Sequence, residues 1–151
     1  MLGQTKVTAV KCMDTLNKRS YFFDGGLRFE CRGCGACCTG DPGTIYVGAL
    51  EIARIAQFLR VPVSVFKDTY LYPFRDSYSI REDSEGRCFF YEEGCTIYSV
   101  RPTQCSTFPF WFHNLRSEKI WQDLAGDCPG VGRGRLYSKE EILEIALSTF
   151  A

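Results

Sequence analysis

The sequence predicts an α+β fold, with a few helices and short antiparallel strands joined by irregular loops. Three observations support this prediction. Patterns typical of amphipathic helices are few and short. Runs of aromatic and β-branched residues flank turn residues, as in hairpins. Four cysteines lie in the stretch "CRGCGACC", residues 31–38, where loop is expected rather than a regular element.

Three segments predict helices. Residues 48–59 place apolar side chains at three- and four-residue steps, the pattern of an amphipathic helix. A short helix is predicted to follow, with Ser64 as its N-cap. Near the C-terminus, Ser138 and Glu141 form a capping box, which predicts a helix over about residues 138–150.

Short strands are predicted around these helices. Residues 6–10 and 74–83 each have the composition of a strand. Residues 86–91 and 95–100 flank the turn sequence "YEEG" and predict a hairpin. Residues 119–130 predict a further strand, or an irregular return of the chain.

Length and composition indicate a single soluble domain, residues 1–151. Hydrophobic residues make up 45% and charged residues 24% of the chain, which is ordinary for a globular protein. The 18 basic and 18 acidic residues cancel, so the composition indicates no nucleic-acid partner. No apolar stretch approaches the roughly 18 residues of a membrane span, and no signal-peptide core is visible. We therefore expect an uncleaved cytoplasmic protein without a membrane partner.

The most informative feature is the set of nine cysteines. An odd number leaves one over in a complete disulfide framework. Adjacent residues such as Cys37 and Cys38 have α-carbons about 3.8 Å apart, whereas a disulfide usually needs about 4.4–6.8 Å. In a reducing compartment, clustered cysteines are metal ligands or catalysts more often than disulfides. The cysteines therefore predict a metal site, and metal ions as partners.

The spacing of the first four cysteines suits thiolate coordination. Cys31, Cys34 and Cys37 form a C-x2-C-x2-C run, and the glycines between them permit tight turns. This run resembles the opening of the bacterial ferredoxin pattern, in which a remote Cys-Pro supplies another ligand, and this chain has such a pair at Cys128. Cys38 is expected to face away from Cys37.

A second group of cysteines follows later in the chain, at Cys88, Cys95 and Cys105. Their spacing matches no common zinc finger, but they bring the number of candidate ligands to eight. The candidates are Cys31, Cys34, Cys37, Cys38, Cys88, Cys95, Cys105 and Cys128. Cys12 has no partner at useful spacing and is expected to be an ordinary thiol.

Zinc and a 4Fe–4S cluster both suit these thiols. Zinc takes four ligands in a tetrahedron, so eight cysteines make two sites or one shared binuclear site. A 4Fe–4S cluster also takes four cysteines, and the ferredoxin-like spacing favours it slightly. One hypothetical division places Cys31, Cys34, Cys37 and Cys128 in one ligand set and Cys38, Cys88, Cys95 and Cys105 in the rest. Either metal would stabilise a loop-rich domain.

Three motifs together resemble a known family. They are "CRGCGACC", "GRCFFYEEGCTIYSVRPTQCSTFPF" and "GDCPGVGRG". Over about residues 27–135 they are similar to the CxxCxxCC cysteine-cluster family, also called the YkgJ family and described as chelating zinc or iron. The resemblance implies that the same eight cysteines are the ligands. Ser106 stands where members often have arginine, so another donor would have to balance thiolate charge.

The biochemical role stays open between three hypotheses. The first is a cysteine-cluster metal-binding protein. The second is a redox or methylase-related enzyme or an electron carrier, since the family includes the cluster region of flagellin lysine-N-methylases. The third is a metal-handling binding module. An enzyme is the less favoured alternative, because no Gly-rich methyl-donor loop, nucleophile elbow or pair of carboxylates among Asp41, Asp76, Asp83 and Glu92 is recognisable.

Three further features have two interpretations each. The aromatic run at residues 108–112 either excludes water from a cluster or packs in the core. His113 is the only histidine and is a candidate ligand or acid–base group, but its spacing fits no ligand motif, which disfavours a ligand role. Arg101 either reaches a cysteine sulfur or, as we favour, caps a turn by donating to carbonyl oxygens.

Overall fold

The structure, a computed structural model, describes residues 2–39 and 44–149. It confirms a small α+β fold in which helices alternate with short antiparallel strands. The helices are α1 Leu2–Asn17, α2 Ala36–Thr39, α3 Ala49–Leu59, α4 Val63–Tyr70, α5 Thr103–Thr107, α6 Glu118–Asp127 and α7 Lys139–Ser148. The strands are β1 Leu27–Phe29, β2 Tyr46–Val47, β3 Leu71–Phe74, β4 Ser77–Ile80 and β5 Arg135–Tyr137.

The chain divides into two compact units. The terminal unit comprises Met1–Arg32 and Thr107–Ala151, and the central unit comprises Gly33–Ser106. Each unit has its own hydrophobic core and its own small sheet. None of the helices in the described ranges is long and apolar enough to cross a membrane. That the whole chain folds as one domain stays a prediction.

The central unit is built on a three-stranded antiparallel sheet in the order β2-β4-β3. Strands β3 and β4 form a hairpin, and Arg75 in its turn has a positive φ of 52°. Strand β4 falls inside the strand predicted over 74–83, whereas β3 was not predicted. The core beneath the sheet consists of Val47, Ile52, Ile55, Ala56, Phe66, Leu71, Ile80, Phe90 and Ile97.

Helix α3 confirms the amphipathic pattern. Ile52, Ile55 and Ala56 are buried on one face, as the three- and four-residue spacing predicts. At its start, the Gly48 amide donates to the Glu51 carboxylate at 2.9 Å. The helix that follows is also present, but the predicted N-cap is wrong: α4 begins after Pro62, whose carbonyl accepts the Phe66 amide at 2.9 Å. Proline suits this place because its missing N–H has no helical partner there.

The terminal unit pairs β1 with β5, with Leu27 opposite Tyr137. Helix α7 has the predicted capping box, in which the Ser138 amide donates to Glu141 at 2.8 Å and the Glu141 amide donates to Ser138 at 3.2 Å. The core of this unit consists of Phe23, Phe110, Leu115, Trp121, Val131, Ile142, Leu143 and Ala146.

The strand predictions are wrong at three places in the chain. Residues 6–10 belong to α1, where Met13 and Leu16 pack against the core at helical spacing, so tertiary packing overrides the local β preference. Residues 119–130, predicted as a strand or an irregular return, lie mainly in α6, whose Trp121 is buried. The hairpin over 86–91 and 95–100 is reduced to turns and isolated bridges, ending in a single 3-10 turn.

Candidate metal centre

The central unit brings five cysteine thiols together. Each interacts with others of the group through a hydrogen bond or an electrostatic interaction: Cys37, Cys38, Cys88, Cys95 and Cys105. None of the nine cysteines among the described residues is joined in a disulfide. Thus thiols from three separate stretches of sequence converge.

The loop before α2 is shaped by a glycine that lies under an aromatic ring. Gly35 is buried and has a φ of 74°. A β-carbon built on it would lie 2.2 Å from the Tyr91 ring. The Gly35 carbonyl accepts the Cys38 amide at 2.9 Å, which starts the short helix carrying Cys37 and Cys38. Sequence reasoning missed Tyr91; its position between two cysteines in the "YEEG" turn was the available signal.

Cys88 is positioned by the turn that precedes it. The Asp83 carboxylate accepts the amides of Glu85 and Arg87 at 2.8 and 3.0 Å, and the Arg87 Nε at 2.9 Å. The Cys88 amide then donates to the Cys38 carbonyl at 2.9 Å. This hydrogen bond ties the second group of cysteines to the first.

Cys95 lies between two core anchors. Phe90 and Ile97 are 3% and 1% exposed, and the Thr96 amide and hydroxyl both donate to the Phe90 carbonyl, at 2.8 and 2.9 Å. The predicted hairpin fails here for a physical reason. Because the Phe90 and Ile97 side chains are both buried in the core, the backbone between them forms turns instead of an extended strand.

Cys105 lies on α5, which α3 helps to position. The Glu51 carboxylate of α3 accepts the Thr103 amide at 2.7 Å, and the Cys105 amide donates to the Pro102 carbonyl at 2.9 Å. Pro102 itself is fully buried. The R-P-x-x-C motif therefore places its cysteine through a buried proline and a shared carboxylate.

Hydrogen bonds among three thiols separate their pKa values. The Cys38 thiol is hydrogen-bonded with Cys37 and Cys95. These hydrogen bonds are the main cause that raises the pKa of Cys38 well above its ordinary value. The same bonds are the main cause that lowers the pKa of Cys37 to about 6 and the pKa of Cys95 to about 7. A hydrogen bond to a thiolate stabilises its charge. Metal binds thiolates, so Cys37 and Cys95 are the thiols best prepared for it.

The remaining two thiols are held in the neutral form. Burial is the largest cause that raises the pKa of Cys105 to about 12, and it also raises the pKa of Cys88. Neighbouring cysteines add to both shifts. Binding of a metal at these thiols would release protons, because the ligand is the thiolate.

The donor chemistry of the five thiols fits a soft metal. In the part of the chain that the structure describes, no three His, Cys, Asp or Glu side chains form a group that could hold a metal ion. Instead, the Cys38 thiol is hydrogen-bonded with the thiols of Cys37 and Cys95. Thiolate donors suit zinc and iron–sulfur clusters and not hard cations.

The predicted ligands are divided between the two units. Cys34 is exposed in the central unit, whereas Cys31 and Cys128 belong to the terminal unit. There the Glu30 amide donates to the Gly130 carbonyl at 3.1 Å, so the segments carrying Cys31 and Cys128 run alongside each other. The expectation that Cys38 faces away from Cys37 is wrong, because their thiols are hydrogen-bonded. Cys12 is exposed on α1.

The other candidates lie as follows. Arg101 caps a turn as predicted, since its Nε donates to the Tyr98 carbonyl at 2.9 Å. His113 is exposed. Of the aromatic run, Phe110 is 2% exposed in the terminal core, while Phe112 is 40% exposed. Asp41 lies outside the described residues.

Comparison with known proteins finds a curated relative over part of the chain. A curated relative, the uncharacterized protein MJ0661 of Methanocaldococcus jannaschii, is 28% identical over 99 residues, covering 62% of this chain and 52% of the relative. The chain thus spans about half the length of that protein. No solved structure matches.

A family model matches residues 30–129, a range that includes all eight candidate ligand cysteines and excludes Cys12. Its description is "putative zinc- or iron-chelating domain", which supports a metal-binding role for the chain. The chain belongs to the CxxCxxCC family.

Proposed function

We propose that the protein holds an iron–sulfur cluster or zinc through cysteine thiolates, with the five thiols of the central unit as the core of the site. The observation that carries the proposal is that the Cys38 thiol is hydrogen-bonded with those of Cys37 and Cys95, and that these three interact electrostatically with Cys88 and Cys105, across sequence separations that only a specific fold brings together. The C-x2-C-x2-C spacing favours a 4Fe–4S cluster slightly over zinc. Ligand roles for Cys31, Cys34 and Cys128 stay part of the proposal. We infer a reducing, cytoplasmic setting, because thiols must be reduced to bind metal.

The test is elemental analysis of protein purified without oxygen. A cluster gives iron and acid-labile sulfide in about equal amounts, and a zinc site gives zinc without sulfide. Cys38→Ser is expected to lose at least half of the bound metal, because Cys38 contacts both Cys37 and Cys95. Cys12→Ser, far from the others in sequence and exposed on α1, is the matched control and should retain the metal.

Two outcomes would contradict the proposal. One is wild-type protein that is folded yet takes up neither zinc nor iron. The other is a Cys38→Ser variant that binds as much metal, and as tightly, as the Cys12→Ser control.

A metal-handling role is the second candidate, and the exposure of Cys37 favours it. Cys37 is solvent-exposed and its pKa is lowered to about 6, so a thiolate is presented to incoming ligands. Competition with a chelator separates the two functions. Loss of metal within minutes supports delivery to a partner, whereas retention for hours supports a resident cofactor.

A further inference from the structure

Arg101 is anchored beside the thiols of the central unit. Arg101 is half-buried, and its Nε donates to the Tyr98 carbonyl at 2.9 Å. Its guanidinium lies over the Tyr98 ring, 3.8 Å from the centroid. The Arg101 carbonyl in turn accepts Arg54 Nη2 at 3.0 Å. Ring and backbone together therefore fix the position of the charge.

The segment that holds Arg101 is tied to two of the cysteines. The Tyr98 amide donates to the Cys95 carbonyl at 3.3 Å, and the Cys105 amide donates to the carbonyl of Pro102, the next residue after Arg101. The same positive charge favours the thiolate forms of Cys37, Cys95 and Cys105. Arg101 thus lies close enough to act electrostatically on thiols from both groups of cysteines.

No carboxylate among residues 2–39 and 44–149 forms an ion pair with Arg101. By contrast Arg87, which lies next to Cys88, pairs with Asp83 at 2.9 Å and Glu85 at 2.8 Å. Of these two arginines beside the cysteines, Arg101 is the one whose charge is left to act on the thiols.

A thiolate site needs such a charge. Four thiolates carry more negative charge than a divalent cation neutralises, and burying net charge is unfavourable. A nearby fixed cation lowers this cost. We propose that Arg101 is a positioning residue of the cysteine cluster, whose guanidinium offsets the thiolate charge and thereby strengthens metal binding. This inference rests on the proposed function.

The experiment measures zinc affinity by competition with a chromophoric chelator under anaerobic conditions. The variants are Arg101→Gln, which removes the charge, and Arg101→Lys, which keeps it. The matched control is Arg81→Gln, since the Arg81 Nε likewise donates to a carbonyl of the central unit, that of Leu71, at 2.7 Å. Each protein is measured at about 0.01 M and about 1 M salt, between which the screening length falls from about 30 Å to about 3 Å.

Arg101→Gln is expected to bind zinc about tenfold more weakly than wild type at low salt, the usual effect of losing an outer partner of a metal site. The difference should shrink at high salt, and Arg101→Lys should recover most of the affinity. Arg81→Gln should bind like wild type.

Three results would overturn the inference: equal losses in the Gln and Lys variants, a loss independent of salt, or an equal loss in Arg81→Gln. Each would indicate a structural role. If circular dichroism shows that Arg101→Gln does not fold, the test depends on Arg101→Lys. This variant keeps the charge, so a loss of zinc binding as large as that of Cys38→Ser would contradict a charge role. Wild-type protein that takes up no zinc would instead refute the proposed function, which is a distinct result.

Discussion

Two glycines in the first cysteine loop have the same backbone conformation but different surroundings. Gly33 has a φ of 65° and Gly35 a φ of 74°. A β-carbon at Gly33 meets nothing within 4 Å, whereas one at Gly35 would lie 2.2 Å from the Tyr91 ring. The chain therefore offers a matched pair that separates backbone strain from packing.

Gly35→Ala is expected to lower the free energy of unfolding more than Gly33→Ala does. In both variants the alanine must adopt a left-handed backbone conformation, which costs about 1–2 kcal/mol. The clash with Tyr91 adds about 1–3 kcal/mol at residue 35. Unfolding of the metal-free variants in denaturant measures both. Equal losses would mean that the Tyr91 ring does not pack on this loop.

The adjacent cysteines illustrate a second point at the residue scale. Alternation along an extended chain would send neighbouring side chains to opposite sides. Here Cys37 and Cys38 lie in the one-turn helix α2, and their thiols are hydrogen-bonded. The local backbone conformation, and not the order of the residues, decides which thiols meet.

At the scale of elements, one carboxylate joins two helices of the central unit. Glu51 on α3 accepts the Gly48 amide through one oxygen and the Thr103 amide through the other, at 2.9 and 2.7 Å. The first bond caps α3 and the second holds the start of α5, which carries Cys105. Glu51 thus contributes both to a helix terminus and to the site.

Glu51→Ala is expected to lower the free energy of unfolding by about 1.5–3 kcal/mol, the range for hydrogen bonds to a charged group. The control is Glu144→Ala on the exposed face of α7, which should change stability little because alanine is itself a good helix former. Denaturant unfolding of both variants gives the comparison. A loss no larger than that of the control would show that the Thr103 contact contributes nothing.

At the scale of the whole molecule, the cysteine cluster and the best-capped helix lie in different units. The interacting thiols belong to the central unit, and α7, with its capping box, belongs to the terminal unit. The segment that carries Cys88 and Cys95 consists of turns and isolated bridges, and Cys105 lies on the short helix α5. Metal bonds would stabilise such loops more than they stabilise a complete helix.

Removal of the metal is therefore expected to destabilise the cysteine-bearing segments more than the rest of the chain. Amide hydrogen exchange should speed up over residues 34–39 and 86–106, because local opening there no longer breaks metal bonds. Exchange in α7 should stay nearly unchanged. The measurement compares metal-loaded protein with chelator-treated protein. Uniform acceleration across both units, or none in the cysteine loops, would contradict the assignment of the site.

Sequence by itself determined the features that depend on residues close together in the chain. The amphipathic spacing in α3 and the capping box of α7 are local, because a helix is closed by hydrogen bonds between residues four apart. The fold class and the metal-binding role also followed from sequence, the latter from the number and spacing of the cysteines. These signals do not need knowledge of distant neighbours.

The tertiary structure decided the features that depend on packing between residues distant in sequence. Residues 6–10 are helical because Met13 and Leu16 of the same helix pack on a core, and residues 86–100 curl because Phe90 and Ile97 anchor them in another. The contact between Cys38 and Cys95 and the ring of Tyr91 over Gly35 join residues far apart in sequence. Such contacts form only when the whole chain has folded, so no local pattern encodes them.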